Sequence, residues 1–400
     1  MSAFSLFSLG AWGAVVASAR LRRGRQFAIF AAVVVGIYSL AATAFSPLVR
    51  ATALWPLFLI LHGVVYVHLV LLARPAMRPP LYRALISIPA WCFIAGTVLS
   101  LPWGIATALG FTPPVPYLPY GLSLIGLAQS LIARREDLHL IIDEIDVPGL
   151  LRHRPVGERV ERPLRLVQIS DPHLGPFMSV ERLRAICERA VAAEPDLVLL
   201  TGDFLTMESQ SSSEPLRRAL EPLAALPGRV LACRGNHDLE APRVVAEALQ
   251  ANGIHLLIDE QMVAQTPWGE VEVLGFDFVF RQREAHVSSV SARHPRTSGR
   301  LRLALLHDPT AFRFVPPGVA DLVLSGHMHG GQLGVLSLGG AWTVPRLFDV
   351  PDHGLWARGR NRMYLHRGTG HYGFPVRLGV PSEEGVIHVH WQRPRSPQPQ

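Results

Sequence analysis

The sequence predicts an N-terminal transmembrane helical region followed by an α/β domain, and three observations carry that prediction. The first 133 residues consist of long uncharged runs. The remainder alternates short apolar strands with helical patterns. Almost every one of those strands ends in a carboxylate, an amide or an imidazole.

Only 17% of the residues are charged, against about 25% in an ordinary soluble domain. The deficit is local, because residues 1–19, 26–49, 51–73 and 84–133 carry no charge at all. A membrane-spanning helix needs about 20 mainly apolar residues, so 3–19, 27–47, 52–73, 84–110 and 115–133 are candidates for four or five crossings. The run from 84 to 133 exceeds one crossing, and the prolines of Phe111-Thr112-Pro113-Pro114-Val115-Pro116 divide it. The first segment has its arginines after it, whereas a cleaved leader has them before, so it is read as a retained helix. His62 and His68 fall inside the third segment as helix-bonding groups or polar sites.

Arginine supplies all 38 basic residues of a chain with net charge +7. Arg20, Arg22, Arg23 and Arg25 follow the first segment, Arg74, Arg78 and Arg83 the third, and Arg134 and Arg135 the fifth. The positive-inside rule places those boundaries, and the C-terminal half, in the cytoplasm. Topology thus accounts for the basic balance, and no stable nucleic-acid partner is expected. Three widely spaced cysteines, one of them inside an apolar run, do not make a disulfide framework.

From residue 134 the composition becomes that of a layered α/β protein. Residues 134–163 read as a juxtamembrane linker with a first strand near 138–142, and 164–391 as the catalytic domain. The polar, proline-rich residues 392–400 read as a disordered tail. Strands are predicted at Leu164–Ile169, Leu197–Leu200, Arg229–Ala232, Val271–Leu274, Leu301–Leu306 and Leu322–Leu324, with helices at about 180–192, 214–225 and 241–251.

The first strand runs into Asp171-Pro172-His173, the second into Gly202-Asp203, and the third into Gly235-Asn236-His237-Asp238. Later strands run into His307 and into Gly326-His327-Met328-His329. Ligands bind beyond the carboxyl ends of strands in open α/β sheets. Carboxylate, imidazole and amide oxygen suit Mn2+, Fe or Zn2+. Seven such groups exceed the needs of one tetrahedral ion but serve a pair sharing one carboxylate. Two ions about 3.5–4 Å apart clamp the oxygens of an in-line displacement at phosphorus and make a bridging hydroxide nucleophilic at neutral pH. His237, beside Asn236, is placed to serve the leaving oxygen.

With these residues named, the sequence resembles the calcineurin-like metallophosphoesterase superfamily over roughly residues 140–385. The resemblance implies a four-layer sandwich, two mixed β-sheets flanked by helices. It implies that Asp171, His173 and His329 bind one divalent ion, that Asn236, His307 and His327 bind the other, and that Asp203 bridges them. His237 is then the catalytic histidine, and Mn2+ the leading metal. Gly330-Gly331-Gln332 and the stretch from Arg367 through Pro381 resemble a bacterial membrane-linked branch. That branch includes phosphodiesterases and hydrolases of UDP-2,3-diacylglucosamine, a lipid A precursor. Protein phosphatases of the superfamily carry an acid three residues after the bridging aspartate; Thr206 stands there instead and argues against that branch.

The expectation is therefore hydrolysis of a phosphodiester or pyrophosphate at the membrane, with the lipid bilayer as partner and a phosphate-containing, lipid-linked compound as substrate. The alternatives are a tethered nuclease or cyclic-nucleotide phosphodiesterase, and a non-catalytic metal-binding scaffold.

Overall fold

A computed structural model describes residues 2–135, 137–141, 149, 150, 162–297, 299–331, 343, 345–348, 350–371, 373 and 377–390. The expected tail at 392–400 lies outside the described residues. The chain divides into two compact units, one of residues 1–131 with 372–378 and one of 132–371 with 379–400.

Among the described residues of the first unit, four helices are long and apolar enough to cross a membrane: Ala3–Arg23, Arg25–Arg50, Trp55–Leu72 and Pro80–Leu99. Gly24, with φ +97°, separates the first two, which would otherwise run on as one rod. The apolar run after residue 84 breaks at the prolines of 113–116, as expected, between helices Leu101–Ala108 and Leu118–Leu131, and has a further boundary at Ser100. Ser100 ends one helix and a short second one, Leu101–Ala108, starts with Pro102 in its first turn, where a missing N–H costs nothing. The fifth candidate segment gives only the 14-residue helix Leu118–Leu131. At 1.5 Å per residue this is about 21 Å, short of the ~30 Å hydrocarbon layer.

His62, fully buried, accepts or donates to Ser8 Oγ at 2.9 Å and Tyr38 OH at 2.7 Å. Both of its ring nitrogens are thereby used to tie the third helix to the first two. Tyr66 OH meets Ser39 Oγ at 2.7 Å one turn further on. A buried polar group in an apolar layer is costly unless paired, so these bonds fix the packing of the three helices.

In the second unit the strands, in chain order, are β1 Ala133–Arg135, β2 Leu138–Ile141, β3 Gly149–Leu150, β4 Leu164–Ile169, β5 Leu197–Thr201, β6 Val230–Cys233, β7 His255–Leu256 and β8 Glu260–Thr266. They continue as β9 Gly269–Phe276, β10 Leu301–Leu306, β11 Leu322–Ser325, β12 Gly354–Arg358, β13 Asn361–Leu365, β14 Ser382–Glu384 and β15 Val386–His390. Among the described residues they form a six-stranded sheet ordered β2-β15-β4-β5-β6-β7 and a seven-stranded sheet ordered β3-β12-β13-β11-β10-β9-β8, with β1 paired to β14. Both are mixed: β15 runs antiparallel to β4 but parallel to β2, and β9 is parallel to β10 but antiparallel to β8.

Strand periodicity decides which residues meet. Leu164, Leu166, Leu197, Leu199 and Leu231 of the first sheet share one buried cluster with Val271, Val273, Leu301, Leu303, Leu305 and Leu324 of the second. The alternate residues Leu274, Phe276, Ala304, Leu306 and Val323 point the other way, onto Val287 and Val290 of the helix Arg283–Arg293. The expected sandwich of two mixed sheets with helical cover is thus the observed one. The helix Val180–Ala192 is capped by Ser179 Oγ, which accepts from Arg182 N at 3.1 Å.

Candidate metal centre

The parallel strands β4, β5, β6, β10 and β11 deliver their C-terminal loops to one end of the sandwich, and each loop contributes polar side chains. Asp171, His173 and His329 offer ligand atoms within 4.8 Å of one another, and Asp203, His307 and His327 do the same. Asp203 stands between the two groups, with Oδ2 3.3 Å from His307 Nε2 and 3.7 Å from His173 Nε2. His173 and His329 face each other through Nε2 at 3.1 Å, and His329 Nε2 is 3.5 Å from Asp171 Oδ1.

The local backbone is strained to achieve this. Asp171, His173, Asp203, His327 and His329 all have positive φ, between 47° and 75°. Non-glycine residues seldom adopt that conformation, at a cost on the order of 1–3 kcal/mol each, and it concentrates at functional sites. Gly202, at φ +83°, makes the turn before Asp203; a Cβ there would overlap the backbone of Arg234 and Gly235. Glycine is therefore required for the close approach of the β5 and β6 loops.

Tautomers are set from the backbone. His307 Nδ1 meets Thr201 O at 2.6 Å, His173 Nδ1 meets Leu205 O at 3.3 Å and His329 Nδ1 meets Gly370 O at 3.4 Å. An N–H donated to a carbonyl leaves the Nε2 lone pair for an ion, the usual outer-shell arrangement of histidine ligands. Asn236 Oδ1 is buried with no hydrogen-bond partner among the described residues. An orphaned carbonyl oxygen is costly unless something electropositive sits beside it. Residues and donor chemistry both fit divalent metal.

Charge says the same. Burial would raise the Asp203 carboxyl, but His307, His173 and His237 outweigh it and hold it well below the usual carboxylate range. Burial lowers His307, yet the Asp203 charge pushes it up to about 10. Burial is the main cause that takes His173 down to about 3, aided by the His237 and His307 charges, and Asp171 up to about 6, aided by the Asp203 charge. Two buried carboxylates therefore favour positive charge at the His307 position.

His237 sits at the edge of the cluster. Its backbone N–H donates to Asp203 Oδ1 at 2.9 Å, and its Nδ1 lies 2.8 Å from Glu240 Oε1. Gln210 Nε2 donates to the other Glu240 oxygen at 2.8 Å. Burial lowers the His237 pKa, but Glu240 and Asp203 raise it above the ordinary value.

Several contributors were not assigned a role by the sequence reading. Asp238 accepts from Asp203 N, Phe204 N and Gly235 N, each at 2.8 Å, and so shapes two ligand loops at once. Glu240 orients His237. Arg234 forks onto Asp277 at 2.9 and 2.5 Å beside Asn236. Asp238 lay inside a recognised motif, whereas Glu240 gave no signal beyond an acid one helical turn after a histidine. In the C-terminal stretch quoted above, Arg367 faces Glu383 at 3.6 Å and Arg377 is fully buried.

Residues 164–331 match the family model described as calcineurin-like phosphoesterase. Phosphodiesterase YaeI of Escherichia coli is 28% identical over 250 residues, 60% of this chain and 87% of that protein. The uncharacterised metallophosphoesterase YkuE of Bacillus subtilis is 28% identical over 222 residues, 54% of this chain and 74% of that one. A transmembrane protein with metallophosphoesterase domain from Danio rerio is 31% identical over 238 residues, 55% of this chain. The aligned region spans about half (52%) of that relative's length.

Proposed function

We infer that this chain is a membrane protein carrying a calcineurin-like metallophosphoesterase domain, a hydrolase acting on phosphoester bonds, and from that premise propose that it cleaves a phosphodiester or pyrophosphate in a lipid-linked substrate. The observation that carries the reading is the position of Asp203 between two buried ligand groups, in a chain with four membrane-length apolar helices. Asp171, His173 and His329 would hold one ion and Asn236, His307 and His327 the other, with Asp203 shared. Mn2+ is taken as the leading metal, with Fe or Zn2+ as substitutes, because carboxylate and amide oxygens share the site with imidazole. Two such ions supply Lewis-acid stabilisation of the phosphoryl oxygens and a nucleophile at neutral pH.

The chain's own residues do the rest. Asp203 fixes the spacing of the two ligand groups and anchors the His237 backbone. His237, held by Glu240 through Nδ1, presents Nε2 to the leaving oxygen and donates the proton it needs. The strained, hydrogen-bonded loops keep the ligands in place before substrate arrives, so little reorganisation is needed during reaction.

The test is Mn2+-dependent release of UMP from UDP-2,3-diacylglucosamine by the full-length protein in detergent, with Asp203→Asn as control. Release by the wild type alone supports the lipid-linked substrate. Cleavage of a generic aryl phosphodiester without UMP release keeps the chemistry and discards that substrate. Failure on both returns the domain to a metal-binding scaffold.

The arginines after the first, third and last apolar segments support a bacterial inner-membrane location with the domain facing the cytoplasm. That facing requires an odd number of crossings, so Leu118–Leu131 must cross with its neighbours' help. A C-terminal alkaline phosphatase fusion decides it: an inactive fusion supports the cytoplasmic facing, and an active one reverses it.

A further inference from the structure

Three histidines and an aspartate meet on the outer face of the six-stranded sheet, and the reaction proposed above uses none of them. Strand β2 is an edge strand, and it runs parallel to β15 with His139 opposite His388 and Ile141 opposite His390. The two-residue period of a strand puts His388 and His390 on one face. Ile387 and Val389 point the other way, into the core between the sheets, as does Leu140 of β2. His388 pairs with Arg165 at the start of β4, whereas Asp171 follows the end of that strand. The histidines therefore lie toward the opposite end of the sheet from the metal centre.

The donor atoms are already close. His139 Nδ1 is 3.1 Å from His390 Nε2, and the His139 ring stacks on His388 with centroids 4.5 Å apart. His388 Nε2 lies 3.7 Å from Asp137 Oδ2. Two nitrogens bound to one tetrahedral Zn2+ at its usual bond length stand about 3.3 Å apart. The His139–His390 spacing is thus near what one ion would impose. Arg165, the register neighbour of His388, donates to Ala193 O at 2.5 Å. The His139–His388 stack and the His388–Asp137 pair hold the third ring and the carboxylate beside the His139–His390 contact.

We propose that His139, His388 and His390, with Asp137 as the fourth ligand, form a separate site for one imidazole-preferring transition-metal ion, Zn2+ in the first instance. The three rings do not yet converge on one point, so closing the set requires the part-exposed His388 ring to turn. The ion ties β2, bonded on one side only, to the strand that holds it in the sheet.

The experiment uses the full-length protein in detergent, stripped by chelator and supplied with Zn2+. Metal retained after desalting is counted for the wild type and for the double variant His139→Ala/His390→Ala. The site predicts one equivalent fewer in the variant, with aryl phosphodiester hydrolysis unchanged; equal metal content overturns it. Carbethoxylation of the wild type, read by mass spectrometry with and without Zn2+, decides the matter even where the variant fails to fold. His139, His388 and His390 should be protected by Zn2+ while the exposed His255 labels equally in both; labelling of the three that ignores Zn2+ refutes the site.

Discussion

Glu240→Gln is the substitution that most directly tests the role given to His237. It keeps the side chain's shape and removes the charge that faces Nδ1 at 2.8 Å. A hydrogen bond to a charged group contributes about 1.5–3 kcal/mol when well shielded. Here His237 is 22% and Glu240 39% exposed, so solvent screening reduces the effect to about 1 kcal/mol, roughly fivefold in rate. That loss should fall only on reactions that need a proton at the leaving oxygen. In a series of aryl phosphodiesters, kcat/KM should drop about fivefold for a phenyl leaving group and hardly at all for p-nitrophenyl, whose anion leaves unaided. A uniform loss across the series would mean that Glu240 acts on the ligand loops, and no loss with phenyl would remove His237 from the leaving-group role.

Other substitutions probe the centre and its supports. Asp203→Asn should lower retained metal and cut aryl phosphodiesterase activity by more than the ~10–100-fold typical of losing a ligand-orienting partner, with both read on the same preparation. Asp238→Ala leaves three backbone N–H groups without their acceptor, at about 1–3 kcal/mol for each that stays buried, so metal affinity and melting temperature should fall together. Gly202→Ala places a Cβ against the β6 loop at φ +83° and should yield protein with a lowered melting midpoint and little bound metal. Leu303→Ala empties a fully buried position between the sheets and should cost about 2–5 kcal/mol in chemical denaturation of the domain while leaving the kcat of the folded fraction unchanged.

What could be read from the sequence was what local pattern determines. Leu197–Leu200 and Leu322–Leu324 are continuous apolar runs because both of their faces are covered, and Leu164–Ile169 and Leu301–Leu306 keep leucine at most positions around Arg165, Gln168 and Arg302, so all four stand out without any knowledge of partners. Strand β8, Glu-Gln-Met-Val-Ala-Gln-Thr, is an edge strand with one wet face, and its polar residues hide it. Strand β12 hides for a similar reason: it carries Arg358 at its end, and its first three residues are only half-buried. The candidate ligands were visible because five strand ends carried the same few residue types. Their grouping about Asp203 depends on two sheets meeting, which no single segment encodes. Glu240 was invisible because its meaning rests on a side-chain angle at His237. In the apolar region, hydropathy found the segments, and the proline-rich stretch 111–116 does separate two helices, but the helix boundary at Ser100 carried no charge or run of prolines to announce it.

The assembly of the centre from five separate loops bears on how the living cell completes it. The outermost ligand positions, Asp171 and His329, are 158 residues apart (329 − 171), which at bacterial synthesis rates of about 5–20 residues per second is roughly 8–30 s of translation. All four membrane-length helices precede them in the chain. A nascent chain is therefore engaged with the bilayer well before its last histidine leaves the ribosome. Any metal the centre takes up would then be bound by a protein already tethered at the bilayer.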